Sequence, residues 1–410
     1  MLNPTTNQRE LAYVVKIDEI HPIPNYDRVE HARVGGWWVI VKKDQFKVGD
    51  PAIYIEVDSK VPEEEPFMFL AAKHFKVKTQ KMCKVLSQGL LMAAEDFGWE
   101  KAESYVDGCV AIKDNKGNYH NTANTSMFLT EELKITYAEA EDNKRKANSV
   151  DKYKKMAQRR PDLFKKPWAR WMMKREWGRR LMFIFFGKQK DKKGGWQSWV
   201  VKTDEERCQN MPWLFPGNPD EKWIATEKVD GTSTTTTLRG KGRKEEFYVC
   251  SRNVVFDTPE KGCYYDTNVY LEMAEKYKFY DVLKDLKEKY NLLFITMQGE
   301  TYGEGIQKRT YGLKGHDFKV FNLIFGYKSG EVQRFNPIEM TNILAKYNIP
   351  CVDIVDEQFI IPATCDELLT IAEGKSAIDG GMREGLVFRS YDGTKSFKAV
   401  SNPFLLKYHG

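Results

Sequence analysis

Between positions 141 and 200 the chain carries 19 Lys or Arg against 6 Asp or Glu, although the net charge of all 410 residues is only +6. The rest of the chain is therefore net acidic. Positive charge gathered in one stretch points to contact with a polyanion more than to general solubility. At this length one ordinary core is not expected, and two or three domains are. With 41% apolar residues and 13% aromatics there is material for packed cores on both sides of the basic stretch.

Other classes are disfavoured. The seven cysteines contain no CxxC pair and no ladder of spacings, so neither a zinc site nor a disulfide framework is expected, and a reducing compartment is. The opening MLNPTTNQRE is polar, so no secretory signal is expected and an intracellular location, cytoplasm or nucleus, is. Pro167 to Gly187 is rich in Trp, Met and Phe but holds Arg170, Lys174, Arg175, Glu176, Arg179 and Arg180. Each such charge costs ~2.5–3.5 kcal/mol near a bilayer centre, so the segment should not span a membrane.

Three regions differ in pattern. In 1–125, the runs Leu11–Ile23, Val29–Val34, Trp37–Val41, Ala52–Val57 and Phe75–Ala94 are rich in Val, Ile, Tyr and Phe, with turns at Gly35-Gly36 and Gly49-Asp50. About five strands fit a small barrel of the OB type or another small antiparallel barrel or sandwich. In 126–200, Leu129–Ile135 forms a short element, Asp142–Arg160 a charged helical run, and Lys188–Gly195 a linker. Five of the ten tryptophans fall between Trp168 and Trp199, placed either to stack bases or to pack this connector on a domain. In 201–410 strands alternate with helices. Trp223–Thr226, Phe247–Ser251, Leu292–Gln298, Lys319–Phe325 and Leu386–Ser390 read as strands; Asn268–Tyr290, Ile338–Tyr347 and Cys365–Glu373 read as helices. The fold class is α+β.

Glu227-Lys228-Val229-Asp230-Gly231 directly follows the apolar WIAT. A lysine just past a buried strand is held rigidly. Asp230 projects to the same side in extended geometry, and Gly231 lets the chain turn and a phosphate approach. Lysine is a nucleophile only when neutral, so its pKa must fall from ~10.4 through burial, a nearby cation or a metal. Alone, such a tetrapeptide describes a surface turn. In this chain it is followed by Ser251-Arg252-Asn253, by Gln298-Gly299-Glu300 running into TYGEGIQ, by Asp317–Asn322, by Arg383–Arg389 and by Ser396–Ser401.

In that order and spacing these segments resemble the collinear motifs of the covalent nucleotidyltransferases, the superfamily of polynucleotide ligases and mRNA capping enzymes. QGETYGEGIQ and DFKVFNL are similar to RNA ligases. KIDEIHPIPNYDRVEHARV, FKVGDPAIYIEVDSKVP, VLSQGLLMA, LKITYAEAEDNKRKA and VVKTDEERCQN are similar to the RNA ligase family with an N-terminal OB domain, often counted as the fifth. The resemblance implies an OB domain over 1–125, a basic connector and a nucleotidyltransferase domain over 201–410. It implies an ATP-dependent enzyme that seals 3′-OH/5′-phosphate breaks, favouring nicks in duplexes whose 3′-OH strand is RNA; a monomer is expected.

The resemblance also implies roles. Lys228 would attack the α-phosphorus of ATP. Asp230 and Glu384 would hold the waters of Mg²⁺ or Mn²⁺, with Glu300 on the ribose or on a metal-bound water. Phe321 would stack on adenine, and Thr226 or Glu227 would read its edge. Lys398 would touch the α-phosphate, Arg252 a phosphate of AMP or of the broken strand, and Arg207 the departing pyrophosphate. Relatives often carry a second lysine two residues after the first in the last motif; here that position is Val400, with Lys395 and Lys407 nearby. Only 12 residues follow Lys398, so no C-terminal OB domain of the kind found in DNA ligases and capping enzymes is expected. A degenerate, merely RNA-binding ligase domain and a capping guanylyltransferase are the alternatives.

Overall fold

The structure is a computed structural model describing residues 1–3, 6, 8–138, 166–175, 177–178, 181–182, 204–252, 255–256 and 268–409. The helical run expected over 142–160 and the linker over 188–195 lie outside the described residues.

The front of the chain forms small antiparallel sheets around two apolar clusters. In one sheet Pro51–Ile55 lies between Ala12–Lys16 and Leu90–Met92, and all five of its residues are buried. Glu19–Ile23, Tyr26–Val34 and Trp37–Lys42 form another. The expected single strand from Leu11 to Ile23 breaks after Lys16. The Ile17 N–H goes to Asp50 and the Asp18 N–H to Arg33, so the chain leaves one sheet for the other. The long strand expected over Phe75–Ala94 is three short ones, turned at Cys83 and Lys84, whose φ angles are 55° and 65°. Packing continues past residue 125, since Leu129, Leu133 and Ile135 are buried with Leu11, Ile53 and Ile112.

Within the basic stretch, Pro167–Met173 is a helix. Trp168, Trp171 and Trp177 are 47%, 50% and 51% exposed. Among the described residues no helix is long and apolar enough to cross a membrane.

The second half is built on two sheets. One has the order Glu206–Arg207, Ser396–Val400, Gly385–Ser390, Trp223–Lys228, Ile354–Phe359. Helix Cys365–Ala372 covers one of its faces through Leu368, Leu369 and Ala372 against Ala225, Leu386, Phe388 and Ala399. The other sheet has the order Val255–Phe256, Glu246–Cys250, Thr232–Arg239, Phe294–Gly303, His316–Gly326, Val332–Arg334. Its outer face packs on Val269–Lys276, Phe279–Lys289 and Pro337–Leu344. The single helix expected over Asn268–Tyr290 is two, because Lys278 adopts φ 49°. That break turns Phe279, Val282, Leu283 and Leu286 into the core.

Glu205 joins the two sheets. It accepts hydrogen bonds from Arg334 at 2.7 Å and Arg389 at 3.2 Å, and from Ser396. Glu56 does the same between barrel and second half. Fully buried, it accepts from Arg9 at 2.9 Å, Tyr13 at 3.3 Å and Asn210 at 3.3 Å.

Candidate active site

Lys228 is the last residue of its strand, paired with Gly385, and not a step beyond it as the sequence suggested. Its Nζ donates to Glu384 Oε2 at 2.7 Å. Glu384 immediately precedes Gly385–Ser390, and its carbonyl accepts the Ser401 N–H at 2.8 Å. Glu300 lies inside Phe294–Gly303, a longer strand than expected, opposite Ser233 and Lys319. Asp230 is buried just past the Lys228 strand, where its N–H donates to Tyr311 Oη at 2.7 Å.

These groups form one electrostatic cluster. Burial alone would lower the Lys228 pKa, but Glu384, Glu300 and Asp230 outweigh it and hold the amine above its ordinary range. The fall expected of a nucleophile is thus absent in the protein by itself. Glu300 is pushed up to about 8 by burial, against the pull of Lys228 and with added repulsion from Glu384 and Asp230. Lys398 is pushed down to about 8 by burial and by its neighbours Arg207 and Lys228.

Register explains why the cations converge. Thr226 pairs with Val387, Val387 with Lys398, and Lys398 with Arg207. Directly paired residues share a face, and so do residues two apart. Lys228, Lys398 and Arg207 therefore project from the face opposite the helix-covered core. Arg207 is also 5.9 Å from the Trp37 ring centroid, against the barrel. The Thr226 hydroxyl donates to the Val387 carbonyl at 3.2 Å within the sheet, on the same face as Lys228. Glu227 faces the other way. Its Oε2 accepts the Ala377 N–H at 2.8 Å, while Oε1 is buried without a hydrogen-bond partner among the described residues.

Gly231 is required by a neighbour and not only by a turn, since an added Cβ would stand 2.3 Å from the Thr301 carbonyl oxygen. Phe321 is the extra residue of a β-bulge. Gln298 pairs with Asn322 and Gly299 with Val320, which leaves Phe321 unmatched. The bulge re-aims its ring into an apolar slot with Val229, Tyr302, Tyr311 and Val352. Arg389 fixes the bulge by donating to the Phe321 carbonyl at 2.8 Å. Arg252 pairs with Asp204 at 2.5 Å, half-exposed at the strand end. Val400 is buried against Leu86 of the barrel and Leu405. Lys395 is paired with Glu221 at 3.0 Å and 66% exposed, and Lys407 lies over the Tyr408 ring. Sequence reasoning missed Tyr311, Arg389 and Glu205. Each acts through a partner distant in sequence, and no local pattern marks it.

An OB-fold domain model matches residues 11–94, and an RNA ligase model matches residues 221–408. No match was found among curated protein sequences. Solved structures of a Naegleria gruberi RNA ligase superpose over 98% of this chain and 99% of theirs at 25% identity. The TM-score is 0.63 for the form with PPi, 0.64 for a lysine-to-alanine variant with ATP and Mn, and 0.64 for a glutamate-to-alanine variant with AMP and Mn. The OB domain, the ligase domain and the full-length superposition agree: the chain belongs to the ATP-dependent RNA ligases that carry an N-terminal OB domain.

Proposed function

We propose that this ligase seals 3′-OH/5′-phosphate breaks, preferring nicks whose 3′-OH strand is RNA, through a lysyl-AMP on Lys228. The observation that carries the reading is the Lys228–Glu384 pair at 2.7 Å, set among Glu300, Asp230 and Lys398. Once neutral, the Lys228 amine attacks the α-phosphorus of ATP. The bond to the β-phosphate oxygen breaks, and pyrophosphate leaves. A 5′-phosphate oxygen of the broken strand then takes the AMP and releases Lys228. Finally the 3′-OH attacks that 5′-phosphate and AMP departs.

The donor set suits a divalent ion. Three carboxylates surround one lysine; burial pushes Glu300 up to about 8, and repulsion from Glu384 and Asp230 adds to it against the pull of Lys228. Asp230, Glu300 and Glu384 would hold Mg²⁺ or Mn²⁺ through waters, as hard oxygen ligands do. Bound there, the ion would supply positive charge to the phosphates and to the three carboxylates, whose hold on the Lys228 proton would weaken. Phe321 in its apolar slot receives adenine, and the unpartnered Glu227 Oε1 accepts from the adenine amino group. Lys398 faces the α-phosphate, Arg207 the pyrophosphate, and Arg252 exchanges Asp204 for a phosphate. The active unit is a monomer.

The test is incubation with α-labelled ATP or GTP and then denaturing electrophoresis, with nick sealing on the same preparation. Label from ATP alone, lost in Lys228→Ala, and faster sealing with an RNA than a DNA 3′-OH strand are expected. Full labelling of Lys228→Ala would overturn the assignment.

A further inference from the structure

A second cluster lies in the hairpin beyond the OB strands, away from the ligation chemistry. Asp114 follows the strand Ala111–Lys113, His120 is in Tyr119–Asn121, and Glu132 is in the turn that precedes Thr136–Tyr137. His120 Nε2 stands 3.4 Å from Asp114 Oδ2 and 3.4 Å from Glu132 Oε2. One ligand atom from each of the three lies within 4.8 Å of the others. The side chains of Asp114 and His120 are 1% and 9% exposed, and Glu132 at 23% forms the rim.

The surroundings fix which atoms face inward. His120 Nδ1 is 2.9 Å from the Ser126 carbonyl, which only accepts, so Nδ1 carries the proton. In the neutral ring Nε2 then offers a lone pair, buried by more than nine-tenths, toward two carboxylate oxygens. Among the described residues no donor is placed between Nε2 and those oxygens. A carbonyl on the distal ring nitrogen is the usual support of a metal-binding histidine. Trp99 stacks on the ring at 5.6 Å and 14°, which holds its plane. Asp114 is equally fixed: Oδ1 accepts the N–H groups of Lys116 at 2.9 Å and Asn118 at 2.8 Å, and Oδ2 accepts the Asn118 side-chain amide at 2.9 Å. Lys116 Nζ takes Glu132 Oε1 at 2.9 Å, leaving Oε2 turned toward the histidine.

We propose that Asp114, His120 and Glu132 form a structural site for a divalent cation of the zinc class. Two ligand atoms about 2.05 Å from a tetrahedral zinc are roughly 3.3 Å apart, which matches both nitrogen–oxygen separations. Three protein ligands leave a fourth position at the Glu132 rim for water. The ion ties the hairpin 111–121 to the turn 129–135, whose Leu129, Leu133 and Ile135 sit in the barrel core. It therefore anchors the barrel at the point from which the chain enters its basic stretch. The rival arrangement has no metal and a doubly protonated His120 bridging both carboxylates.

The experiment uses the full chain, stripped with EDTA and dialysed. Zinc is titrated in, and bound metal, melting temperature and AMP labelling of Lys228 are measured together. Expected are about one zinc equivalent lost in His120→Gln and in Glu132→Gln relative to the parent, and a zinc-induced rise of melting temperature that both variants lack. Labelling in ATP and Mg²⁺ should persist in both. If His120→Gln does not fold, the rim variant Glu132→Gln gives the same comparison. Equal zinc binding by parent and variants, or NMR showing both His120 ring nitrogens protonated in zinc-saturated protein, would overturn the site. Labelling is read separately, so that outcome would leave the ligase assignment standing.

Discussion

Under the proposed reaction Lys228 presents a conflict: the carboxylates proposed to hold metal also hold its proton. Their net effect is to raise its pKa, with burial acting in the opposite sense. Glu384→Ala removes the closest of them and should ease deprotonation, yet on the proposed reading it also removes a metal-positioning group. Loss of a preorganised group of this kind typically costs ~10²–10³ in rate, so single-turnover adenylylation by folded Glu384→Ala or Lys398→Ala should fall by about that much. A near-normal rate in either would reject its role. Glu300 gives a stability signature independent of turnover. Its pKa rises from 4.5 to about 8 on folding, so the folded state binds the extra proton between those values. The stability it contributes is present below the lower value and lost as pH rises through the upper one. Glu300→Gln should therefore gain melting temperature relative to the parent between about pH 5 and about pH 8. A parallel pair of melting curves across that range would contradict the shift.

At the scale of elements, much of the ligase domain could be read from sequence, and the exceptions have physical causes. The apolar strands around Lys228 and the motif order were visible as runs of Val, Ile, Leu and Phe. Thr232–Arg239 was not, because its buried positions are threonines. Thr234 and Thr237 satisfy their hydroxyls against Thr301 and Thr296 at 2.6 Å and 2.9 Å, so a polar run occupies an interior strand. The Phe321 bulge was equally hidden, since one extra residue leaves no compositional trace. The strand Ser396–Val400 shows how one element can serve two purposes. Lys398 projects beside Lys228 and Arg207, where the proposed reaction would need it, while Val400, on the same face one pair further, packs against Leu86 and Leu405. The absent second lysine is thus replaced by an apolar contact to the barrel. Val400→Lys should not accelerate sealing. It buries an unpaired charge at a cost of about 3–5 kcal/mol, read as a lower melting temperature. Unchanged stability would mean that this position opens to solvent.

Across the whole molecule, the front domain is wired into the catalytic one. Glu56 binds Asn210, Arg33 reaches Asp366 at 2.7 Å, Leu86 meets Val400, and Trp37 lies under Arg207. Removing residues 1–200 should therefore lower the melting temperature of the remainder and weaken adenylylation to the extent that Arg207 and Lys398 lose support. Nick sealing should suffer more. Adenylylation handles one nucleotide, whereas sealing must hold two polynucleotide ends, and the chain outside its basic stretch is net acidic. The surplus of lysine and arginine over 141–200, with the half-exposed Trp168, Trp171 and Trp177 within it, would supply both phosphate charge and stacking faces in such a clamp. Each phosphate contact releases counterions, so sealing at limiting substrate should fall steeply as salt rises, with adenylylation changing far less. Comparing labelling, sealing and melting on one preparation of full-length and truncated chain separates clamp from scaffold. If the barrel and basic stretch only stabilise, the two activities decline together with melting temperature, and both show the same weak dependence on salt. A salt slope confined to sealing, abolished by the truncation, locates the grip on RNA in the front half of the chain.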